Sequence, residues 1–391
     1  MHTPNSFGAI KKIKKTLKLR IEHEAKKALY RAPQEFVSPI EYADKYKSKG
    51  KWHKVNGHEL ICPKPATNLG SVPLKFANID VSECAEEGVL EISNAFQFGS
   101  WIVSSEFFLV SGISSCSHYT NLPCKNVRIA PRFVHAKRLK GACLSIATRG
   151  AAHYGHWLVE SIAKLELFSM AGFDLHDVDY ILCHKPLLGT PENLFNHLNI
   201  PEKKCIWVES SSPAFRPDVL FAPSHPEIYK KSLPWIPKFL RRRFLPLTAS
   251  HPQRRLYLTR EGYSRNPVNA VNVNRIFARY RFEFFNPELH PASHLVFSEA
   301  AIVVGHTGSA MTGIVFCQPG TKVLELISDD TLHTKGGNLF PLVSSSECDY
   351  NYLVCQSTHY RVDSSFGLTP YDFYVNEAEL EQALIKLIAD L

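Results

Sequence analysis

From Ala142 to Ile327 the chain alternates short apolar runs with amphipathic ones, and no other feature limits the possible folds as much. "CLSIAT" has strand character, "HWLVESIAKLELFSMAGF" repeats apolar residues at helical spacing, and "VDYILCH" returns to strand. A short helix, "PENLFNHLN", and the strands "CIWV" and "VLFAPS" complete a first series. The second series runs "RLYLTR" (strand), "NAVNVNRIFARY" (helix), "FEFF" (strand), "HPASHLVFSEA" (helix), "AIVVG" (strand), "MTGIVFC" (helix) and "KVLELI" (strand). Strands alternating with helices imply parallel sheets covered on both faces.

Between the two series, "YKKSLPWIPKFLRRRFLPLTASHPQRR" holds four prolines from Lys230 to Arg255 and a run of positive charge, and reads as a helical hinge. Residues from about 50 to 140 carry apolar runs broken by Pro, Gly and Cys and read as a β-rich addition. The terminal "NEAELEQALIKLIADL" puts Leu380, Leu384, Leu387 and Leu391 on one helical face that should pack onto the body. The expectation is therefore an α/β protein with two doubly wound halves facing a cleft. The corresponding boundaries are a basic segment at 1–45, an N-terminal domain at 46–240 and a C-terminal domain at 241–391.

At 391 residues, 45% hydrophobic and 21% charged, the chain has the length and composition of two globular domains, which excludes disorder and coiled coil. Its ten cysteines are scattered without a C-x-x-C pair, so they read as reduced core thiols rather than a disulfide or zinc framework. With no N-x-S/T acceptor, no bilayer-length apolar run and no apolar signal segment, the expected compartment is the cytoplasm.

The formal charge of +8 is concentrated at one end: from Met1 to Ala32 nine Lys/Arg face Glu22 and Glu24, a net +7. There "AIKKIKKTLKLRI" spaces Ile10, Ile13, Leu17 and Ile21 as an amphipathic helix with lysines between them. Residues 10–31 are thus a candidate anchor for an anionic membrane face, with a solvated helix as the alternative. A nucleic-acid partner is not expected, because the body adds no comparable basic and aromatic stripe.

Three features carry chemistry. After "AIVVG", the run Gly305-His306-Thr307-Gly308-Ser309-Ala310 has no large apolar side chain before Met311. A small-residue loop entering a helix at the carboxyl end of a parallel strand offers backbone N–H groups and a positive dipole end, which suit phosphate; an ordinary tight turn is the alternative. In "YLTREGYSRNP", Arg260 and Arg265 fall just past a strand of the same series, on the same sheet edge, where guanidinium forks suit a diphosphate. In "RGAAHYGHWLVESIAKLELF", His156 and Glu160 are one helical turn apart, and His153 joins their face if the helix extends back. An imidazole oriented by a carboxylate is a candidate general base, and a buried histidine satisfied by Glu160 is the alternative. A metal site from His153, His156 and Glu160 has no matching ligand spacing elsewhere, so no metal is expected.

Taken together and in this order, "HYGHWLVESIAKLELF", "LYLTREGYSRNPVNAVN" and "VVGHTGSAMTGIVFCQPGTKVLEL" resemble glycosyltransferase family 61, a group once filed among capsular polysaccharide biosynthesis proteins. The resemblance covers about half the chain. It implies a GT-B-like pair of Rossmann-type domains, a nucleotide-sugar donor held mainly by the C-terminal half, and inverting transfer without an essential metal. The family's His-Trp-Leu-x-(Glu/Asp) pattern falls on His156, Trp157, Leu158 and Glu160, and its paired arginines on Arg260 and Arg265. Its glycine-rich loop falls on Gly305, Thr307, Gly308, Ser309 and Ala310, and its Phe-x-x-Pro-Gly…Glu tail on Phe316, Pro319, Gly320 and Glu325. Thr307 stands where the family loop has His, and His306 lies one residue earlier. The segment before Cys143 carries none of these motifs.

The resemblance and the residues together give a working expectation. His156 is the base oriented by Glu160, with the reverse assignment also open. Arg260, Arg265 and the amides of Gly308 and Ser309 hold the diphosphate, and Glu325 either binds ribose or serves structure. The donor is expected to be UDP-linked, with no further cofactor. The acceptor is expected to be a glycan or lipid-linked saccharide of surface polysaccharide synthesis (capsule or lipopolysaccharide) at the inner face of a bacterial cytoplasmic membrane. A nucleotide-sugar epimerase and a non-catalytic nucleotide-sugar-binding protein are the alternatives.

Overall fold

The computed structural model of the chain describes residues 36–55, 63–74, 86–114, 135–148, 150–151, 153–185, 194–208, 212–247, 251–260, 265–329, 339–358 and 372–391. The basic segment expected to meet a membrane lies outside the described residues.

Seven strands precede the first parallel series: β1 (Phe36–Val37), β2 (Gly50–Lys54), β3 (Thr67–Asn68), β4 (Gly88–Ser93), β5 (Phe96–Phe98), β6 (Trp101–Val103) and β7 (Leu109–Val110). The series itself is β8 (Lys137–Ser145), β9 (Tyr180–Cys183), β10 (Cys205–Trp207) and β11 (Phe215–Pro223). These four pair in parallel in the order β10-β9-β8-β11. Numbered within the series that is 3-2-1-4, with the strand order reversing between β8 and β11 as in doubly wound sheets. The β-rich segment is not a separate addition. β4 and β5 pair antiparallel with β11, and β2, β6, β7 and β1 continue from them, so one mixed sheet holds both. β3 crosses over to pair with Asn351 and Tyr352 of the second sheet.

That second sheet contains β12 (Arg254–Leu258), β13 (Glu283–Phe285), β14 (Ala300–His306), β15 (Lys322–Ser328), β16 (Asp349–Ser357) and β17 (Phe373–Tyr374). β13-β12-β14-β15-β16 are parallel neighbours, with β17 antiparallel at the edge. Within the half this is the order 2-1-3-4-5, whose direction reverses between β12 and β14. β14 is buried at all seven positions, which explains its unbroken "AAIVVGH" in place of an alternating pattern. β16 was not apparent in the sequence, because Asp349, Asn351 and Gln356 interrupt its apolar run.

The segment read as a hinge is a packed strut. Trp235–Phe244 form a helix that buries Trp235, Ile236, Phe239, Leu240 and Phe244. Pro234 caps its N-terminus and Pro237 lies in the first turn, where the missing N–H costs no intrahelical bond. Arg241 donates from Nε to Val315 O (3.0 Å) and from Nη2 to Ser346 O (2.7 Å) in the second half, while Arg242 reaches Glu166 of the first at 2.7 Å. One core cluster runs through both halves, joining Leu144, Trp157, Phe168 and Phe239 to Leu256, Val303, Ile314 and Phe316.

The C-terminal helix Glu377–Ala389 starts at Asn376, whose side chain accepts from Ala378 N and Glu379 N. It buries Leu380, Ala383, Leu384 and Leu387 as the spacing implied, but Leu391 lies past its end and is exposed. Cys143, Cys183, Cys205, Cys317, Cys348 and Cys355 are free. Among the described residues no helix is long and apolar enough to cross a membrane.

Candidate active site

The small-residue loop leaves the carboxyl end of β14, and Arg260 follows the end of β12, so the two flank the point where strand order reverses. Open α/β sheets bind ligands in that crevice. The glycines are there for space. A Cβ on Gly305 would strike Met311 Sδ, so its absence lets the following helix sit against the strand. A Cβ on Gly308 would strike Arg260 Nη1, so its absence lets the guanidinium lie on the loop backbone. Gly308 caps the N-terminus of the 3-10 helix Ser309–Phe316 with no side-chain capping bond, and the first amides of such a helix have no intrahelical acceptor.

Arg265, with φ of 68°, turns back so that Nη1 donates to Thr307 O at 3.1 Å. Burial, and then the charge of Arg260, pull its pKa down to about 10. Two guanidinium groups are thus held near each other at a helix N-terminus, a setting that favours a multivalent anion.

Support for the loop comes from beneath. Thr307 Oγ1 donates to Glu325 Oε1 (2.6 Å), and Glu325 Oε2 accepts from Leu339 N (2.9 Å) and Tyr350 Oη (2.7 Å). Glu325 is fully buried, and burial raises its pKa to about 7 against the opposing pull of those three bonds. Its oxygens therefore serve the loop and do not reach the crevice. His306 is buried too, 3% exposed, on the other face of the sheet, with Nε2 3.2 Å from Tyr257 Oη and, among the described residues, no hydrogen-bond partner for Nδ1. Burial, then Arg260 and Arg265, push its pKa down to about 3, so it stays neutral.

On the facing half, helix Tyr154–His156 passes into a π-helical turn, Trp157–Ile162, and on into helix Lys164–Met170. π turns inside helices often mark functional sites. His153 is the N-cap and is exposed, its ring centroid 6.5 Å from that of His156. His156 Nδ1 lies 2.9 Å from Glu160 Oε1; the imidazole side chain is 40% exposed, whereas Glu160 is buried. Among the described residues His156 Nε2 makes no hydrogen bond. Partial burial is the largest influence on His156 and opposes its charge, but the hydrogen bond and charge of Glu160 together outweigh it and raise the pKa.

The halves meet where Gly155 rests on Thr312 of the 3-10 helix, and any Cβ there would collide with the Thr312 hydroxyl. Tyr229 closes the junction, edge-on to His156 with ring centroids 5.1 Å apart and 3.4 Å from Thr312 Oγ1. The structure thus brings His156 and Glu160 to the helix that begins at Ser309. Sequence reasoning missed Tyr229, Lys164 and His225, which border the same carboxylate. His225 alone had a readable signal, a polar residue just beyond the carboxyl end of "VLFAPS". A separate cavity of about 310 Å³, lined by Leu165, Phe168, Phe173, Leu198, Phe239 and Arg243 among others, shares no residue with this site. Among the described residues no group of three or more His, Cys, Asp or Glu side chains could hold a metal ion.

Fold and site define a mixed α/β protein with a basic crevice at a sheet switch point and an imidazole–carboxylate pair beside it. The family model Glycosyltransferase 61 matches residues 154–324, from just before His156 to just before Glu325. The match spans less than half of the chain and supports a transferase. No curated protein matches the chain.

Proposed function

We propose that the protein is an inverting, metal-independent glycosyltransferase of GT-B-like arrangement. It moves a hexosyl or pentosyl group from a nucleotide-sugar donor, UDP-linked in our reading, to a glycan or lipid-linked saccharide of surface polysaccharide synthesis, at the cytoplasmic face of a membrane. The observation that carries this reading is the convergence of Arg260, Arg265 and the Ser309 helix N-terminus on the β12/β14 switch point, with the His156–Glu160 pair across the junction.

In this mechanism Nδ1–H of His156 donates to Glu160, so Nε2 is the basic nitrogen and is the one left free. It takes the proton of the acceptor hydroxyl as the oxygen attacks the anomeric carbon, and the bond from that carbon to the donor's phosphate oxygen breaks on the opposite face. The charge that develops on the leaving diphosphate falls on Arg260, Arg265 and the amides of Gly308 and Ser309. Glu325 acts through Thr307 by fixing the loop.

Release of UDP, GDP or CMP from the correspondingly linked sugars, with and without a lipid-linked glycan extract, tests the reading. Release that requires extract and falls about 100-fold or more in His156→Ala is expected. Donor turnover without any acceptor would point to an epimerase, and near-normal release by His156→Ala would remove the base assignment.

A further inference from the structure

The pairing of His156 with Glu160 leaves two buried groups, His225 and Lys164, without a role near the same carboxylate. His225 follows β11 and is 8% exposed; its backbone N–H donates to Gly112 O at 2.7 Å, and its Nε2 lies 3.8 Å from Glu160 Oε2. Lys164, one turn beyond Glu160, is 1% exposed, and its Nζ donates to Ala147 O at 3.2 Å. Tyr229 approaches from the same segment as His225, and its pKa is raised by burial and then by the charge of Glu160. His156 therefore faces the carboxylate from its own helical run, with Lys164 buried one turn further along, and His225 and Tyr229 approach from the segment after β11. The 3-10 helix of the second half presents Thr312, which does not titrate.

A buried carboxylate with a single imidazole neighbour would direct its whole charge onto that ring and could rotate away from it. Here one oxygen faces His156 and the other faces His225, with a buried ammonium one turn along. We propose that His225 is a positioning residue that holds the Glu160 carboxylate in one orientation, and that the buried Lys164 ammonium offsets part of its charge, leaving His156 a free Nε2 and a restrained basicity. The state of Lys164 fits this role. Burial draws its pKa down to about 8, and the charge of Glu160 acts in the opposite direction. The inference rests on the reading of His156 as the base.

Its test uses full-length His225→Phe, His225→Gln, Lys164→Met and Lys164→Arg. The first readout is the titration of the His156 ring by ¹H–¹³C NMR, which needs no substrate. Loss of the ammonium leaves the Glu160 charge uncompensated, so His156 should titrate about 1 unit higher in Lys164→Met and return toward wild type in Lys164→Arg. His225→Phe should shift it in the same direction, and His225→Gln less, since the amide keeps an N–H near Oε2. The second readout is turnover: kcat should fall between about 10- and 100-fold in His225→Phe with donor KM unchanged. The acid limb of its pH profile should follow the NMR shift upward.

A His156 titration unmoved in both His225→Phe and Lys164→Met overturns the proposal. So does a loss of stability and turnover together with an unmoved acid limb, which would make the two side chains merely structural. If Lys164→Met does not fold, His225→Phe decides alone. Should the titration move while His156→Ala keeps its turnover, the base reading falls and the charge sharing stands.

Discussion

His306 and Glu325 are buried where β14 and β15 end, with pKa values displaced in opposite directions, and each leaves a signature in stability against pH. His306 is depressed from 6.5 to about 3, so between those values the unfolded chain binds the extra proton and its contribution to stability falls as pH drops. Glu325 is raised from 4.5 to about 7, so its contribution is fully present below 4.5 and is lost as pH rises through 7. Urea midpoints measured across pH should therefore depend less on pH below 6.5 in His306→Gln, and less between 4.5 and 7 in Glu325→Gln. An unchanged slope would mean that the group is hydrated. Gly308→Ala probes the loop itself: its Cβ displaces the Arg260 guanidinium, so diphosphate affinity should drop about tenfold or more, roughly 1.4 kcal/mol, and the backbone strain of Ala at φ 159° should also lower the melting temperature. Thr307 also finds its explanation at this scale. Its hydroxyl ties the loop to Glu325, so Thr307→Val should cost about 1 kcal/mol of stability.

At the scale of elements, the contact of Gly155 with Thr312 sets how close the His156 helix comes to the Ser309 helix. Gly155→Ala should destabilise by about 1 to 3 kcal/mol, and Thr312→Ala beside it should recover part of that loss in a double-mutant cycle. Additive losses would mean that the two residues do not bear on each other. The strands and helices of both series were legible because apolar spacing records which face is buried, and the positions of Arg260, Arg265 and Gly308 followed from lying beyond the carboxyl ends of strands. Other features needed three dimensions. The prolines before and within Trp235–Phe244 look like a break in sequence, yet sit at a helix start where they are harmless. His306 read as a ligand contact and Glu325 as either a ribose ligand or a structural residue; both are buried, on opposite faces of the sheet, His306 beside Tyr257 and Glu325 bonded to Thr307. His225 and Lys164 acquire meaning only from a carboxylate contributed by a segment 65 residues away for the first and one helical turn away for the second.

For the molecule as a whole, the shared core ties both sheets into one packed unit, with the Trp235–Phe244 helix bonded to each side. Scanning calorimetry should show one cooperative unfolding transition, whereas two separated transitions would mean that the halves are energetically independent. The same architecture puts the basic crevice of the second sheet beside the imidazole of the first, and the central claim is that this crevice holds a nucleoside diphosphate. Calorimetric titration of UDP, GDP and CMP into wild type, Arg260→Ala and His156→Ala tests that claim most directly. The account predicts that one nucleoside diphosphate binds wild type and His156→Ala alike and loses at least about tenfold affinity in Arg260→Ala. Equal binding to Arg260→Ala, or no binding of any nucleotide to the wild type, would contradict it.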